Sequence, residues 1–127
     1  MDGLIIDCFA GGGGASTGIE KAMGRAVDIA VNHDPQAILM HKTNHPDTLH
    51  LTEDIFEVDL AKHVQGRRVA VMWASPDCTS HSKAKGGKPR KRGLRILPWA
   101  VYKHAKAVKP EIIFMENVEE IQQWGPL

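Results

Sequence analysis

The sequence predicts an α/β domain built on a doubly wound, mostly parallel sheet, and three observations carry that prediction. Short apolar runs of strand length alternate with longer segments of helical periodicity. The first run passes through four consecutive glycines, Gly11 to Gly14, directly into a helical segment. Each later run ends in a small polar cluster of the kind that turns a chain. Strands separated by helices pair in parallel and bury both sheet faces, and ligands then gather at the carboxyl ends of the strands.

The elements follow in order. Residues 4–9 (Leu-Ile-Ile-Asp-Cys-Phe) read as a buried first strand, and residues 15–23 as a helix with Ile19, Ala22 and Met23 on one face. Residues 25–31 form a second apolar run, ending at Asn32-His33-Asp34 before Pro35 opens a helix through Ala37, Ile38 and His41. A short third strand is expected near residues 49–51, ahead of Asp54 and Ile55, and a fourth over residues 69–73. Residues 97–108 read as a helix and 111–115 as the fifth strand. Residues 75–95 are the one long irregular segment, and a loop of that size in a compact domain is more often functional than incidental.

At 127 residues with 43% hydrophobic content the chain suits one globular domain. No apolar run approaches the about 20 residues that span a bilayer, and no signal peptide opens the sequence, so a cytoplasmic location without membrane contact is expected. Cys8 and Cys78 are the two cysteines, far apart and too few for a disulfide framework, so both are expected as free thiols. Net charge is +1, but its distribution is uneven. Lys83, Lys85, Lys88, Arg90, Lys91, Arg92 and Arg95 fall in one stretch without an acidic residue. Such a run is either a solvated loop or a contact for phosphates, because clustered Lys and Arg release counterions on meeting a polyanion.

Phe9-Ala10-Gly11-Gly-Gly13-Gly14 lacks the lysine of a nucleotide-hydrolysing phosphate loop. Its glycines either let backbone amides approach a ligand at a helix N-terminus or serve a tight turn alone. Asn32, His33 and Asp34 end the second strand where dinucleotide folds place a ribose-binding side chain, though Asp34-Pro35 is equally a helix start. Asp54 is either a cap or an acceptor for an adenine amino group, with Ile55 beside it.

Cys78 follows Pro76-Asp77 at the end of the fourth strand and is flanked by Thr79, Ser80 and His81. Neighbouring cations favour its thiolate. A metal centre is not expected, since Cys78-x-x-His81 has no paired spacing to join it. A phosphatase loop would need an arginine where Ala84 stands. A cysteine–histidine hydrolase stays open at this point. Glu116-Asn-Val closes the fifth strand, placing a carboxylate that is either an acid near the thiol or an ordinary helix-start residue.

Taken together and in order, Phe-Ala-Gly-x-Gly-Gly, Pro-Asp-Cys with Ser82 beyond it, and Glu-Asn-Val resemble the DNA (cytosine-5) methyltransferase family, most nearly its phage and prophage members. The resemblance spans nearly the whole chain. It implies a Rossmann-like S-adenosylmethionine-dependent methyltransferase fold, with the cofactor held by Phe9, Ala10, Gly11, Gly13, Gly14, Asn32, His33, Asp34, Asp54, Ile55 and Pro76. The chain departs from the family pattern in three ways. Asp77 is inserted between proline and cysteine, and Asn32-His33 stand where many relatives carry a glutamate. After Glu-Asn-Val the arginine-rich motif, the target-recognition domain and the closing C-terminal helix of the family do not follow. Residues 1–127 are therefore expected to be the N-terminal part of a catalytic domain that is incomplete at its C-terminus.

The resemblance also implies a mechanism. The Cys78 thiolate adds to carbon 6 of cytosine, Glu116 hydrogen-bonds N3 and the amino group, and carbon 5 takes the methyl group before losing its proton and expelling the thiolate. Inside a duplex the base must first be flipped out. Ser82, Lys83, Lys85, Lys88, Arg90, Lys91, Arg92 and Arg95 would hold phosphates of double-stranded DNA. The expected setting is restriction-modification or phage DNA methylation, with this chain poorly active alone. The alternatives are a cofactor- or DNA-binding fragment that needs a complementary chain or self-associates through its incomplete sheet, and a methyltransferase of RNA or a small molecule.

Overall fold

The computed structural model describes residues 2–10, 13–75 and 91–116, with the backbone alone for 91–98. The described elements run β1 (Leu4–Cys8), α1 (Gly14–Met23), β2 (Ile29–Asn32), α2 (Pro35–Asn44), β3 (Leu49–Thr52), α3 (Leu60–Val64), β4 (Val69–Ala74), α4 (Lys91–Val108) and β5 (Ile112–Met115). The strands form one sheet in the order β3-β2-β1-β4-β5, and every pairing is parallel. The chain thus winds outward from β1 in both directions, as the alternation of apolar runs and helices predicts.

Side-chain alternation along the strands separates two layers. Ile6, Cys8, Val31, Leu51, Met72 and Ala74 point to one face, where Leu60 and Val64 of α3 and Ala100, Val101 and Val108 of α4 complete the main core. Ile5, Val71 and Trp73 belong to the other face, beneath Ile19 and Met23 of α1. Fully burying a side chain such as Ile5, Ile6 or Met72 contributes about 1.5–3 kcal/mol, so this central pair of strands anchors the fold.

Two element starts lie several residues from the sequence reading, and one element is additional. β2 starts at Ile29 instead of residue 25, because the preceding segment is spent on a tether. Arg25 bonds Asp28 at 3.0 Å and the Gly3 carbonyl, while Asp28 Oδ2 accepts from the Ile5 amide at 2.8 Å. α3, a short helix between β3 and β4, was not anticipated; Asp59 caps it by accepting from the Lys62 amide at 3.1 Å. α4 is already helical at Lys91, so Lys91, Arg92 and Arg95 lie on a helix and not in the irregular segment where the sequence places them.

β5 leaves Ile112, Ile113, Phe114 and Met115 exposed, which covers both faces of the strand. Among the described residues no helix is long and apolar enough to cross a membrane.

Candidate active site

Parallel pairing brings the carboxyl ends of all five strands to one edge. β1 ends in Phe9, which holds a left-handed φ of 61°, and the Ala10 amide then bonds the Val31 carbonyl at 2.8 Å. Non-glycine residues seldom adopt this conformation, and it turns the chain sharply into the glycine segment. α1 begins after Gly13, whose φ of 108° is tolerated readily only by glycine. Gly11 lies outside the described residues.

Asn32 ties the β2 end to this turn. Its Nδ2 donates to the Ala10 carbonyl at 2.6 Å and its Oδ1 accepts from the Asp34 amide at 2.8 Å. Asp34 in turn accepts from the Gln36 amide at 2.9 Å, so it caps α2, while Pro35 takes the first helical position. His33 and Asp34 are exposed on the edge.

Asp54 builds the corresponding turn after β3. Its Oδ1 accepts from the Phe56 amide at 2.8 Å, and its carbonyl accepts from the amides of Glu57 and Val58. α4 holds this turn from the same layer: His104, 2% exposed, donates from Nε2 to the Ile55 carbonyl at 2.5 Å. Ile55 is itself buried.

At the other end of the edge the Glu116 amide bonds the Ala74 carbonyl at 2.9 Å, extending the β4–β5 ladder by one step. Exposed Glu116 therefore stands beside the exit of β4, from which the chain runs on through Ser75. Pro76, Cys78, Ser82, Lys83, Lys85, Lys88 and Arg90 lie outside the described residues, as do the side chains of Lys91, Arg92 and Arg95.

Cys8 is 0% exposed, and burial together with the adjacent Asp7 pushes its thiol up to about 12. It is a core residue with no thiolate at neutral pH. Among the described residues no three His, Cys, Asp or Glu side chains are arranged to hold a metal.

The sequence reading missed a buried polar group under the glycine turn. Asp7, Ser16, His41 and His45 are all buried, and they connect β1, α1 and α2. The signals were present: an aspartate inside an apolar strand, and two histidines spaced i, i+4 on a helix whose inward face includes Ile38.

The family described as C-5 cytosine-specific DNA methylase matches residues 4–124, nearly the whole chain. The chain belongs to the C-5 cytosine-specific DNA methylase family. Among family relatives it is similar to the type II methyltransferase M1.HphI of Haemophilus parahaemolyticus, at 30% identity over 95% of the chain and 34% of the relative. The type II methyltransferase M.AgeI of Thalassovita gelatinovora is also 30% identical, over 89% of the chain and 27% of the relative. A solved structure described as a prophage-encoded DNA modification methyltransferase of E. coli superposes with a TM-score of 0.74 at 28% identity, covering 96% of this chain and 34% of that one. A TehB-like SAM-dependent methyltransferase of Corynebacterium glutamicum shares the fold, with a TM-score of 0.52 at 15% identity over 97% of this chain and 65% of that one. The chain thus spans about a third of the length of the curated relatives it matches.

Proposed function

We propose that this chain is the cofactor-binding, nucleophile-bearing part of a DNA cytosine-5 methyltransferase. The observation that supports the reading is the step from Ala74 to Glu116: a backbone hydrogen bond of 2.9 Å sets the first residue of Glu-Asn-Val next to the strand that leads to Pro-Asp-Cys. Family membership supports DNA as the substrate, and the type II and prophage relatives support a restriction-modification or phage setting. A cytoplasmic location follows from that role.

The strand-end residues suit S-adenosylmethionine by their chemistry. Asp34 and Asp54 present carboxylate oxygens on the exposed edge after β2 and β3, suited to ribose hydroxyls and an adenine amino group. Phe9, Ala10, Gly13 and Gly14 form a turn that opens a helix N-terminus toward the same edge, with Gly11, Asn32, His33, Ile55 and Pro76 completing the set. Asn32 acts there mainly by shaping the turn, since its amide oxygen and nitrogen each hold a backbone group. When bound, S-adenosylmethionine supplies an electrophilic methyl group for carbon 5 of cytosine.

The chain's own residues do the rest. The Cys78 thiolate donates an electron pair to carbon 6 of a flipped-out cytosine, forming a carbon–sulfur bond that makes carbon 5 nucleophilic. Glu116 holds N3 and the exocyclic amino group and balances charge on the ring. After carbon 5 is substituted, loss of its proton returns electrons to the ring and breaks the carbon–sulfur bond. Ser82 and the cations from Lys83 to Arg95 position the phosphate backbone without selecting a sequence.

A second reading concerns completeness, and exposed β5 favours it. Ile112, Ile113, Phe114 and Met115 would be covered by a complementary chain or a second copy, and target recognition would come from outside residues 1–127. Transfer of labelled methyl groups to duplex DNA tests both readings together with calorimetry for S-adenosylhomocysteine. Cofactor binding with little transfer by the 127-residue chain is the expected result. Robust transfer to cytosine would retain the enzyme and overturn the need for a further part. Transfer to RNA or a small molecule, or no cofactor binding, would overturn the assignment itself.

A further inference from the structure

Under the glycine turn lies a hydrogen-bonded chain that the strand-end residues do not account for. Asp7 is 1% exposed, and Ser16 and His41 are 0% exposed. Ser16 Oγ donates to Asp7 Oδ2 at 2.7 Å. With its proton committed there, Ser16 Oγ can only accept from His41 Nε2, 2.8 Å away. His41 Nδ1 is then left as an acceptor for His50 Nε2, also at 2.8 Å. A charged Asp7 therefore fixes the direction of each bond out to β3, and with it the tautomer of His41.

His45, the residue that caps the C-terminus of α2, makes a second grip. Its Nδ1 lies 2.7 Å from Glu20 Oε2, while Nε2 lies 3.2 Å from Thr17 Oγ1 and 3.3 Å from the Gly13 carbonyl. The two rings stand 4.5 Å apart between centroids, and what they hold belongs to the beginning of α1: Gly13, Ser16, Thr17 and Glu20.

We infer that His41 and His45 are positioning residues for the cofactor turn, fixing the α1 N-terminus against the strand ends, and that their grip is tightest while Asp7 is charged. The inference rests on the cofactor reading above. The groups around Asp7 are Ser16 and Glu20 from α1, His41 and His45 from α2, and His50 from β3, with Lys42 beside His50 and Cys8 next along β1. Its partners in register on β2 and β4, Ala30 and Trp73, carry no charge. Burial raises the Asp7 carboxyl to about 6, against the Ser16 hydrogen bond and His45. Burial, with His45 and His50, lowers His41 to about 4 and keeps it the neutral acceptor that the chain requires. Below about 6 Asp7 takes a proton, and the Ser16 bond loses its charged acceptor.

The test titrates the isotopically labelled 127-residue chain from about pH 5 to pH 8, with two readouts. Amide resonances of Gly13, Ser16 and Thr17 are followed without ligand, and the Kd of S-adenosylhomocysteine is measured at the same pH values. The amides are expected to move with a shared midpoint near pH 6. Affinity is expected to weaken about tenfold on the acid side, the factor for one weakened charge-assisted hydrogen bond. Asp7→Asn should remove the midpoint, and both Asp7→Asn and His41→Asn should hold affinity near its acid value throughout. A wild-type affinity that is flat over the range, a midpoint that survives in Asp7→Asn, or a His41→Asn chain that binds as tightly as wild type at about pH 8 overturns the inference, and the wild-type titration decides if neither variant folds. Amides that titrate as expected in a chain that binds no S-adenosylhomocysteine keep the grip and overturn the cofactor reading instead.

Discussion

The His45 ring occupies the space where a side chain on Gly13 would begin: a Cβ built there would lie 2.8 Å from Nε2 and 2.9 Å from Cδ2. Gly13 is thus held to glycine twice, by this contact and by its φ of 108°. Gly13→Ala is expected to cost about 1–3 kcal/mol and to weaken S-adenosylhomocysteine binding, because the turn must move off His45. Gly18 is the internal control. It lies inside α1 with nothing within 4 Å of an added Cβ, so Gly18→Ala should stabilise by about 0.5–1 kcal/mol. Urea unfolding of both variants checks the contrast.

Asp7 and His41 pull stability in opposite directions with pH. The Asp7 carboxyl is raised from 3.8 to about 6, so its favourable contribution is complete below 3.8 and lost as pH rises through 6. His41 is lowered from 6.5 to about 4, so its contribution is complete above 6.5 and lost as pH falls through 4. Each effect is worth about 3 kcal/mol, and the two windows overlap. Wild-type stability from these groups should be nearly flat between about pH 4 and pH 6.5, whereas Asp7→Asn should lose stability steadily on acidification. Urea midpoints at several pH values measure this, and a flat profile in the variant would show that His41 is not held neutral by burial.

Cys8 should be silent toward thiol reagents in the folded chain. It is 0% exposed and its thiol is held at about 12. In a Cys78→Ser chain, where it is the remaining thiol, labelling is expected at the rate of unfolding and to become fast in denaturant. Rapid labelling in native buffer would contradict the packing of β1.

The β5 strand predicts association. Ile113 and Phe114, 46% and 48% exposed, point to opposite faces of an apolar strand. Sedimentation velocity should show concentration-dependent self-association that Ile113→Glu reduces, since a charge on an exposed strand opposes edge and face contacts. A monomer unaffected by the substitution at high concentration would indicate that neither face seeks a partner.

Much of this architecture was legible in the residues. Strand cores such as Leu4–Cys8 and Val69–Ala74 are buried by the parallel neighbours that their continuous apolar runs imply. Asp34-Pro35 signalled the α2 start, and the structure uses both residues for it. The boundaries were less legible where side chains serve tertiary ties: Arg25 and Asp28 look like strand residues locally but hold β1 to β2. The His41–Ser16–Asp7 chain was hard to assemble for the same reason: Asp7 in an apolar strand and the spaced histidines were signals, but its members are distant in sequence and meet only when α1 and α2 share a sheet face. At the site itself, sequence named the strand-end residues but not the internal bonds of Asn32, which depend on how closely the β1 and β2 turns approach.

The most direct measurement is the covalent product with duplex DNA containing 5-fluorocytosine, which lacks the carbon 5 proton whose loss would release the thiolate. Incubation with S-adenosylmethionine, followed by peptide mapping, should locate a cytosine adduct, in low yield for the 127-residue chain, on Cys78, absent in Cys78→Ser and further reduced in Glu116→Gln. An adduct on any other residue, or one that survives Cys78→Ser, would contradict the assignment of nucleophile and acid to the ends of β4 and β5.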